Sequence, residues 1–228
     1  MRITDILAQN NRLYRDKIAL VERIPAQSAR KEITWHQFYT ISCQLANALK
    51  NHGIKKSDTV VQLMTNCLEW LPIYFGILYT GAWAVPLNFR FESGKILLCT
   101  QTAAPKVFIF GPEFIERIDN IRQELSGRVS LWVFAGPEKN CPDWAVSLNT
   151  FISGHHGHYP LEIDAEPDDD AALYFTSGTT GTPKAVLLTH KNLTHACEVE
   201  NTHHGQTHED IFLCIPPLYH TGAKMHWM

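Results

Sequence analysis

Tyr174–His190, YFTSGTTGTPKAVLLTH, sets Thr176, Ser177, Thr179, Thr180 and Thr182, with Gly178, Gly181 and Lys184, between two apolar runs. The glycines permit positive φ and remove side-chain bulk, so a ligand can approach the backbone. The hydroxyls add hydrogen-bond donors and Lys184 adds a mobile positive charge. A polyphosphate takes such donors. The stretch is not a Walker A loop: with four residues between, Gly178 is followed by Pro183 where a second glycine is required, and Ala185 follows the lysine. The dinucleotide pattern GxGxxG is absent as well. AVLLT, residues 185–189, is branched and apolar and reads as a strand, so the loop joins two extended segments and has no helix N-terminus immediately after it. Its grip must come from backbone amides, hydroxyls and Lys184. The competing reading is a Ser/Thr/Gly-rich hairpin that holds nothing.

Upstream, the pattern alternates strand and helix. Thr34 caps an amphipathic helix over 34–52, with Phe38, Ile41, Leu45, Ala48 and Leu49 at helical spacing and Gly53 as its stop. DTVVQLM (58–64) reads as a strand, followed by an apolar helix and a strand, AVPLN, that ends near Asn88. A polar-to-apolar stretch over 92–103, the strand KVFIF (106–110), a charged helical run over 113–125 and the strand RVSLWVF (128–134) repeat the cadence. Residues 136–160 read as loop, and the acidic EPDDD (166–170) reads as solvated backbone ahead of the strand ALYFT. The alternation predicts an α/β fold, a mostly parallel sheet flanked by helices.

Trp70–Leu87 runs without a charge and has the length of a membrane span, but Pro72, Gly76, Gly81 and Pro86 interrupt it and favour a short buried helix followed by a strand. The N-terminus, MRITDILAQNN, lacks the apolar core of a secretion signal. Six scattered cysteines with no CxxC pair suit reduced thiols, and the expectation is a cytoplasmic protein. A net charge of -3 with no basic stripe argues against a nucleic-acid or anionic-membrane partner. His204 and His208 stand four apart with His203 beside them, a metal-like spacing if helical, but Gly205 intervenes and no third ligand is fixed, so a surface loop is expected. The same reading applies to His155, His156 and His158.

Thr176–Lys184, TSGTTGTPK, resembles the phosphate loop of the AMP-forming adenylating enzymes, the superfamily of acyl-CoA synthetases, nonribosomal peptide synthetase adenylation domains and firefly luciferase. Other stretches resemble the family in the expected order: TWHQFYTISCQLANALKNHGIKKSDTVV (34–61), GILYTGAWAVPLN (76–88), LLTHKNL (187–193) and IPPLYHTGA (215–223), the last similar to the aromatic-His motif that lines the acyl pocket. The resemblance implies that a carboxylate attacks the α-phosphate of ATP to give an acyl-adenylate, and that a thiol, usually coenzyme A, then displaces AMP. It implies that Thr176, Ser177, Gly178, Thr179, Thr180, Gly181 and Lys184 hold the ATP phosphates, that Tyr219, His220, Thr221 and Gly222 lie by the carboxylate, and that Lys184 and His220 take part in catalysis. Mg²⁺ is implied as the ATP counter-ion; no residue is assigned to hold it. Amino-acid-activating relatives place an Asp after the aromatic residue where this chain has His220, so a plain carboxylic acid, fatty or other, is favoured.

No stretch resembles the family's adenine-stacking segment, ribose-binding aspartate, hinge or C-terminal domain. The expectation is therefore that residues 1–228 form an incomplete N-terminal adenylation domain with little ligase activity alone. The missing half would belong to the full-length form or to a downstream polypeptide. The alternative is a non-catalytic nucleotide-binding or interaction module that kept the first half of the fold.

Overall fold

The computed structural model describes residues 1–157, 165–176 and 183–224. The chain opens with helix α1 (Ile3–Leu13) and an antiparallel hairpin of β1 (Ile18–Ile24) and β2 (Ala29–Thr34). Helix α2 (Trp35–Asn51) comes next, then β3 (Thr59–Leu63), α3 (Trp70–Leu78), β4 (Trp83–Pro86), α4 (Ser93–Ala103), β5 (Val107–Phe110), α5 (Ile115–Asp119) and β6 (Leu131–Phe134). After β7 (Val146–Ser147) and α6 (Leu148–Ile152) come β8 (Asp170–Thr176), β9 (Lys184–Thr189), α7 (His190–His204) and the short α8 (Thr221–Lys224).

Seven strands form one sheet in the order β7-β6-β5-β3-β4-β8-β9, parallel throughout except for the antiparallel pair β8–β9. Side chains alternate along each strand, so Val60, Val107 and Ile109 join a core with α1, α2, α3 and α7, while Val61, Phe108 and Phe110 join a second core with α4 and α5. Burial on both faces explains why β5 reads as an unbroken apolar run; in β3, Gln62 is buried too and donates its amide to Trp70 O at 2.9 Å. The α/β expectation holds.

Helix α2 begins and ends where its sequence dictates. Thr34 Oγ1 accepts the Gln37 N–H at 3.2 Å while the Gln37 side chain returns to the Thr34 N–H at 2.8 Å, a reciprocal cap of about 1 kcal/mol. Gly53 takes φ +92°, which a side chain would resist, and ends the helix. Helix α3 is buried on every side, hence its lack of polar residues. It spans nine residues before the turn into β4, and among the described residues no helix is long and apolar enough to cross a membrane.

Three readings need correction. The helical run over 113–125 is shorter: α5 stops at Asp119, and the chain then turns with bonds such as Ile121 N–H to Ile118 O so that Ile121 and Leu125 can be buried. The loop over 136–160 contains β7 and α6, because Ser147 caps α6 by accepting the Thr150 N–H. His203 and His204 lie in the last turn of α7 rather than in a loop, with Gly205 at φ +61° as the stop.

Helices α2 and α3 approach closely at Gly76, where an added Cβ would stand 2.8 Å from Leu45 Cδ2 and 2.9 Å from Leu45 Cβ. Gly76→Ala is therefore expected to destabilise the chain by about 1–3 kcal/mol and lower the thermal midpoint by several degrees. An unchanged midpoint in a calorimetric scan would show that α2 and α3 do not approach this closely.

Candidate functional site

Residues 177–182, and with them Ser177, Gly178, Thr179, Thr180 and Gly181, lie outside the described residues. Thr176 and Lys184, the two ends of that loop, are described. β8 and β9 pair antiparallel with Thr176 opposite Lys184, and Thr176 Oγ1 donates to Lys184 O at 3.4 Å. The loop thus leaves and re-enters the sheet at one rung, joining two extended segments as its sequence requires. Thr176 and Lys184 are both exposed. Because β8 runs parallel to β3, β4 and β5, Thr176 lies at the carboxyl edge of the sheet, where open α/β folds bind ligands.

The second candidate group reaches the same edge from the far end of the chain. Tyr219 packs edge-on to Phe89, ring centroids 5.3 Å apart, and Phe89 follows the carboxyl end of β4. Ala84 of β4 pairs with Ala172 of β8, so Asn88 and Thr176 each stand four residues further along neighbouring strands. This brings the Tyr219 ring to the strand beside the one that launches the loop. His220 is exposed, its backbone N–H bonded to Pro217 O at 3.0 Å and its Nδ1 accepting the Gly222 N–H at 3.4 Å. Thr221 and Gly222 open α8 beside it.

Two contributors are missed by sequence reasoning. Asn66, just beyond β3, bonds through both amide atoms to the backbone at Pro216 and Leu218. Phe89 supplies the ring against Tyr219. The available signal was position: each follows a strand at its carboxyl end.

His190, the last residue of the quoted stretch, is not a surface acid or base. It is 1% exposed in the first turn of α7, and among the described residues its Nδ1 has no hydrogen-bond partner. Burial pushes its pKa down to about 4; the nearby Arg2 guanidinium pushes the same way, and Asp5 and Asp169 oppose both. Arg2 is held there by Asp5 at 2.7 Å and by Ala165 O at 3.2 Å, and Thr194 Oγ1 of α7 donates to Met1 O at 3.3 Å, which ties the N-terminus to the base of α7. The thiols of Cys43, Cys99 and Cys197 are pushed up to about 12 by burial, so none is poised as a nucleophile.

Among the described residues no group of three His, Cys, Asp or Glu side chains could hold a metal. His204 faces Glu200 at 3.3 Å, and His208 faces Glu209 at 2.8 Å and stacks on Tyr14. A cavity of about 710 Å³ lies between β1 and residues 206–214; Asn66, Cys214 and Leu218 line it, whereas Lys184, Tyr219 and His220 do not.

Among known proteins, the model of a family described as AMP-binding enzyme matches residues 7–228. A 3-hydroxybenzoate/4-hydroxybenzoate–CoA ligase of Thauera aromatica is 32% identical over 187 residues, 82% of this chain and 35% of that protein. An anthranilate CoA ligase solved with anthranoyl-AMP is 27% identical with a TM-score of 0.77, over 87% of this chain and 36% of that one. The N-terminal domain of FACL13 from Mycobacterium tuberculosis, solved with an inhibitor, is 27% identical with a TM-score of 0.81, over 99% of this chain and 54% of that domain. The chain spans about a third of the length of the curated relatives it matches, for example 35% and 41% of two of them.

The depressed His190 pKa has a defined sign. The unfolded chain takes up this proton near pH 6.5 and the folded chain only near 4. The stability from neutral His190 is therefore complete above pH 6.5 and lost as pH falls toward 4, on the order of 3 kcal/mol in all. In denaturant titrations His190→Gln should flatten this part of the profile relative to the parent. Parallel profiles between pH 6.5 and 4 would show that His190 is not held neutral by the fold.

Proposed function

The chain belongs to the AMP-binding enzyme family, and from that premise we propose that it carries the phosphate-gripping and acid-seating part of a carboxylic acid–CoA ligase. One observation carries the reading. The loop anchored by the Thr176–Lys184 rung and the Tyr219–His220 turn converge on the carboxyl edge of one sheet from positions far apart in sequence. A ligand-free hairpin gives no reason for that convergence.

The reaction has two steps, an adenylyl transfer to the acid and then an acyl transfer to a thiol. A carboxylate oxygen attacks the α-phosphorus of ATP, the bond to the pyrophosphate oxygen breaks, and an acyl-adenylate forms. The thiol sulfur of coenzyme A then attacks the acyl carbon and the C–O bond to AMP breaks. Thr176, Ser177, Gly178, Thr179, Thr180 and Gly181 supply hydroxyl and amide donors to the β- and γ-phosphates, and Lys184 adds its charge where pyrophosphate charge develops. Lys184 suits this because it opens an edge strand and its side chain stands in solvent. Tyr219, backed by Phe89, walls the acid site, while His220, Thr221 and Gly222 present polar groups to the carboxylate. Mg²⁺ would enter with ATP as its counter-ion, and no residue is assigned to hold it. Because His220 stands after Tyr219, the acid has no ammonium group to be paired there. Aromatic and fatty acids both meet that requirement.

The rest of such a site comes from polypeptide beyond these residues, and the surface has room for it. β9 is the sheet's edge strand, with Val186 and Leu187 exposed, and Ile211, Leu213 and Ile215 are 97%, 76% and 78% exposed. A run of apolar side chains in water is a surface that other polypeptide covers. We assign to it the part of the AMP-binding domain that these residues do not contain, in the same chain or a separate one. The 228 residues alone are expected to form no CoA thioester.

ATP–pyrophosphate exchange by the polypeptide carrying these residues tests the reading, with aromatic, short-chain and long-chain acids as a panel. Exchange should depend on the added acid, and Lys184→Ala should lower it about 100- to 1,000-fold, the range for losing one group that stabilises developing charge. Exchange that ignores the acid, or that survives Lys184→Ala intact, would refute it.

A further inference from the structure

The segment that carries Tyr219 and His220 is irregular; Leu218 buries its side chain in the core below the sheet, and Cys214 and Tyr219 pack against that core. From Asp210 to Pro217 the chain is in neither helix nor strand, and Ile211, Leu213 and Ile215 are solvent-exposed. Its internal bonds, such as Ile215 N–H to Leu213 O and His220 N–H to Pro217 O, shape the turn without fixing it to the sheet. Pro216 and Pro217 have no N–H, so Leu218 offers the first backbone donor after Ile215.

Asn66 meets this segment from the sheet. Its Nδ2 donates to Pro216 O at 3.0 Å, and its Oδ1 accepts the Leu218 N–H at 2.8 Å. The side-chain amide spans two residues of backbone as a peptide group on a neighbouring strand would, across about 150 positions of sequence separation. It stands three residues beyond the end of β3, the strand at the centre of the sheet. Phe89 supports the ring beyond the clamp, and its loop is held in turn by Arg117 Nη1, which donates to Phe89 O at 2.9 Å and Phe91 O at 3.3 Å.

We infer that Asn66 is a positioning residue for the acid site: its amide clamps the Pro216–Leu218 backbone to the carboxyl end of β3 and so sets where Tyr219 and His220 stand. The clamp itself rests on geometry alone, and its consequence for the acid rests on the reaction proposed above. Asn66 does not touch the reacting atoms; it acts through the backbone it holds. Asn66→Asp keeps the acceptor for Leu218 but loses the donor to Pro216, whereas Asn66→Ala loses both.

Amide hydrogen exchange on the 228-residue chain reads the clamp directly. Asn66→Ala should speed exchange at Leu218 about tenfold relative to the parent, with β3, β5 and β6 unchanged, and Asn66→Asp should keep Leu218 near the parent rate. Unchanged exchange at Leu218 in Asn66→Ala, or a rise spread equally through β3, β5 and β6, would overturn the clamp. Should Asn66→Ala not fold, Asn66→Asp decides: Leu218 exchanging as fast as its unbonded neighbours would overturn it. In the acid-dependent exchange assay, Asn66→Ala should raise KM for the acid about tenfold and leave KM for ATP within about twofold. Equal rises in both would overturn the positioning role. Absence of any acid dependence in the parent would instead overturn the reaction and leave the Leu218 result standing.

Discussion

The antiparallel pairing of β8 with β9 is the constraint on which the candidate site rests, because it decides where both ends of the hydroxyl-rich loop lie. With Thr176 opposite Lys184, the connection must close on itself within one rung of the ladder, and the lysine returns to the edge that the threonine left. A slip of one residue would turn every β9 side chain to the other face and move Lys184 off that rung. The ladder runs from Ala172 opposite Leu188 to Thr176 opposite Lys184, and Leu188 is the β9 side chain that packs against the core, so a slip would carry it off that face.

The parallel part of the sheet supplies the second constraint. β3, β4, β5 and β8 all end on the same edge, so residues just past each strand are gathered there regardless of their separation in the chain. Asn66 and Phe89 are such residues, and between them they seat a segment more than a hundred positions downstream. A buried contact behind the sheet reaches toward this edge. Tyr74 of α3 meets Tyr174 of β8 hydroxyl to hydroxyl at 2.9 Å, both buried, so the helix behind the sheet is tied to the strand that launches the loop.

How much of this was legible differs by element and for physical reasons. α2 was legible to within a residue because its periodicity, its capping box and its Gly53 stop agree. The apolar run from Trp70 was legible as a short helix and a strand because its glycines and prolines contradict a long one. The β1–β2 hairpin was not foreseen: the apolar run in β1 is only IALV (18–21), β2 carries Arg30, Lys31 and Glu32 in succession, and both strands are largely exposed or half-exposed. The charged stretch after Pro112 misled in the other direction, since helix-forming residues continue past Asp119 where burial of Ile121 and Leu125 bends the chain. At the site, the loop and the Tyr219–His220 turn were legible as motifs. Asn66 and Phe89 were not, because a lone Asn or Phe after a strand gains meaning only when topology shows what lies opposite.

The most direct test of the central claim is amide chemical-shift mapping on the isotopically labelled 228-residue chain, titrated with Mg²⁺–ATP and then with benzoate or hexanoate. The account predicts that ATP shifts the amides around Thr176 and Lys184, and that the acid shifts those from Leu218 to Gly222 and at Phe89. Shifts confined to the cavity between β1 and residues 206–214, with the Thr176–Lys184 rung unmoved, would contradict it.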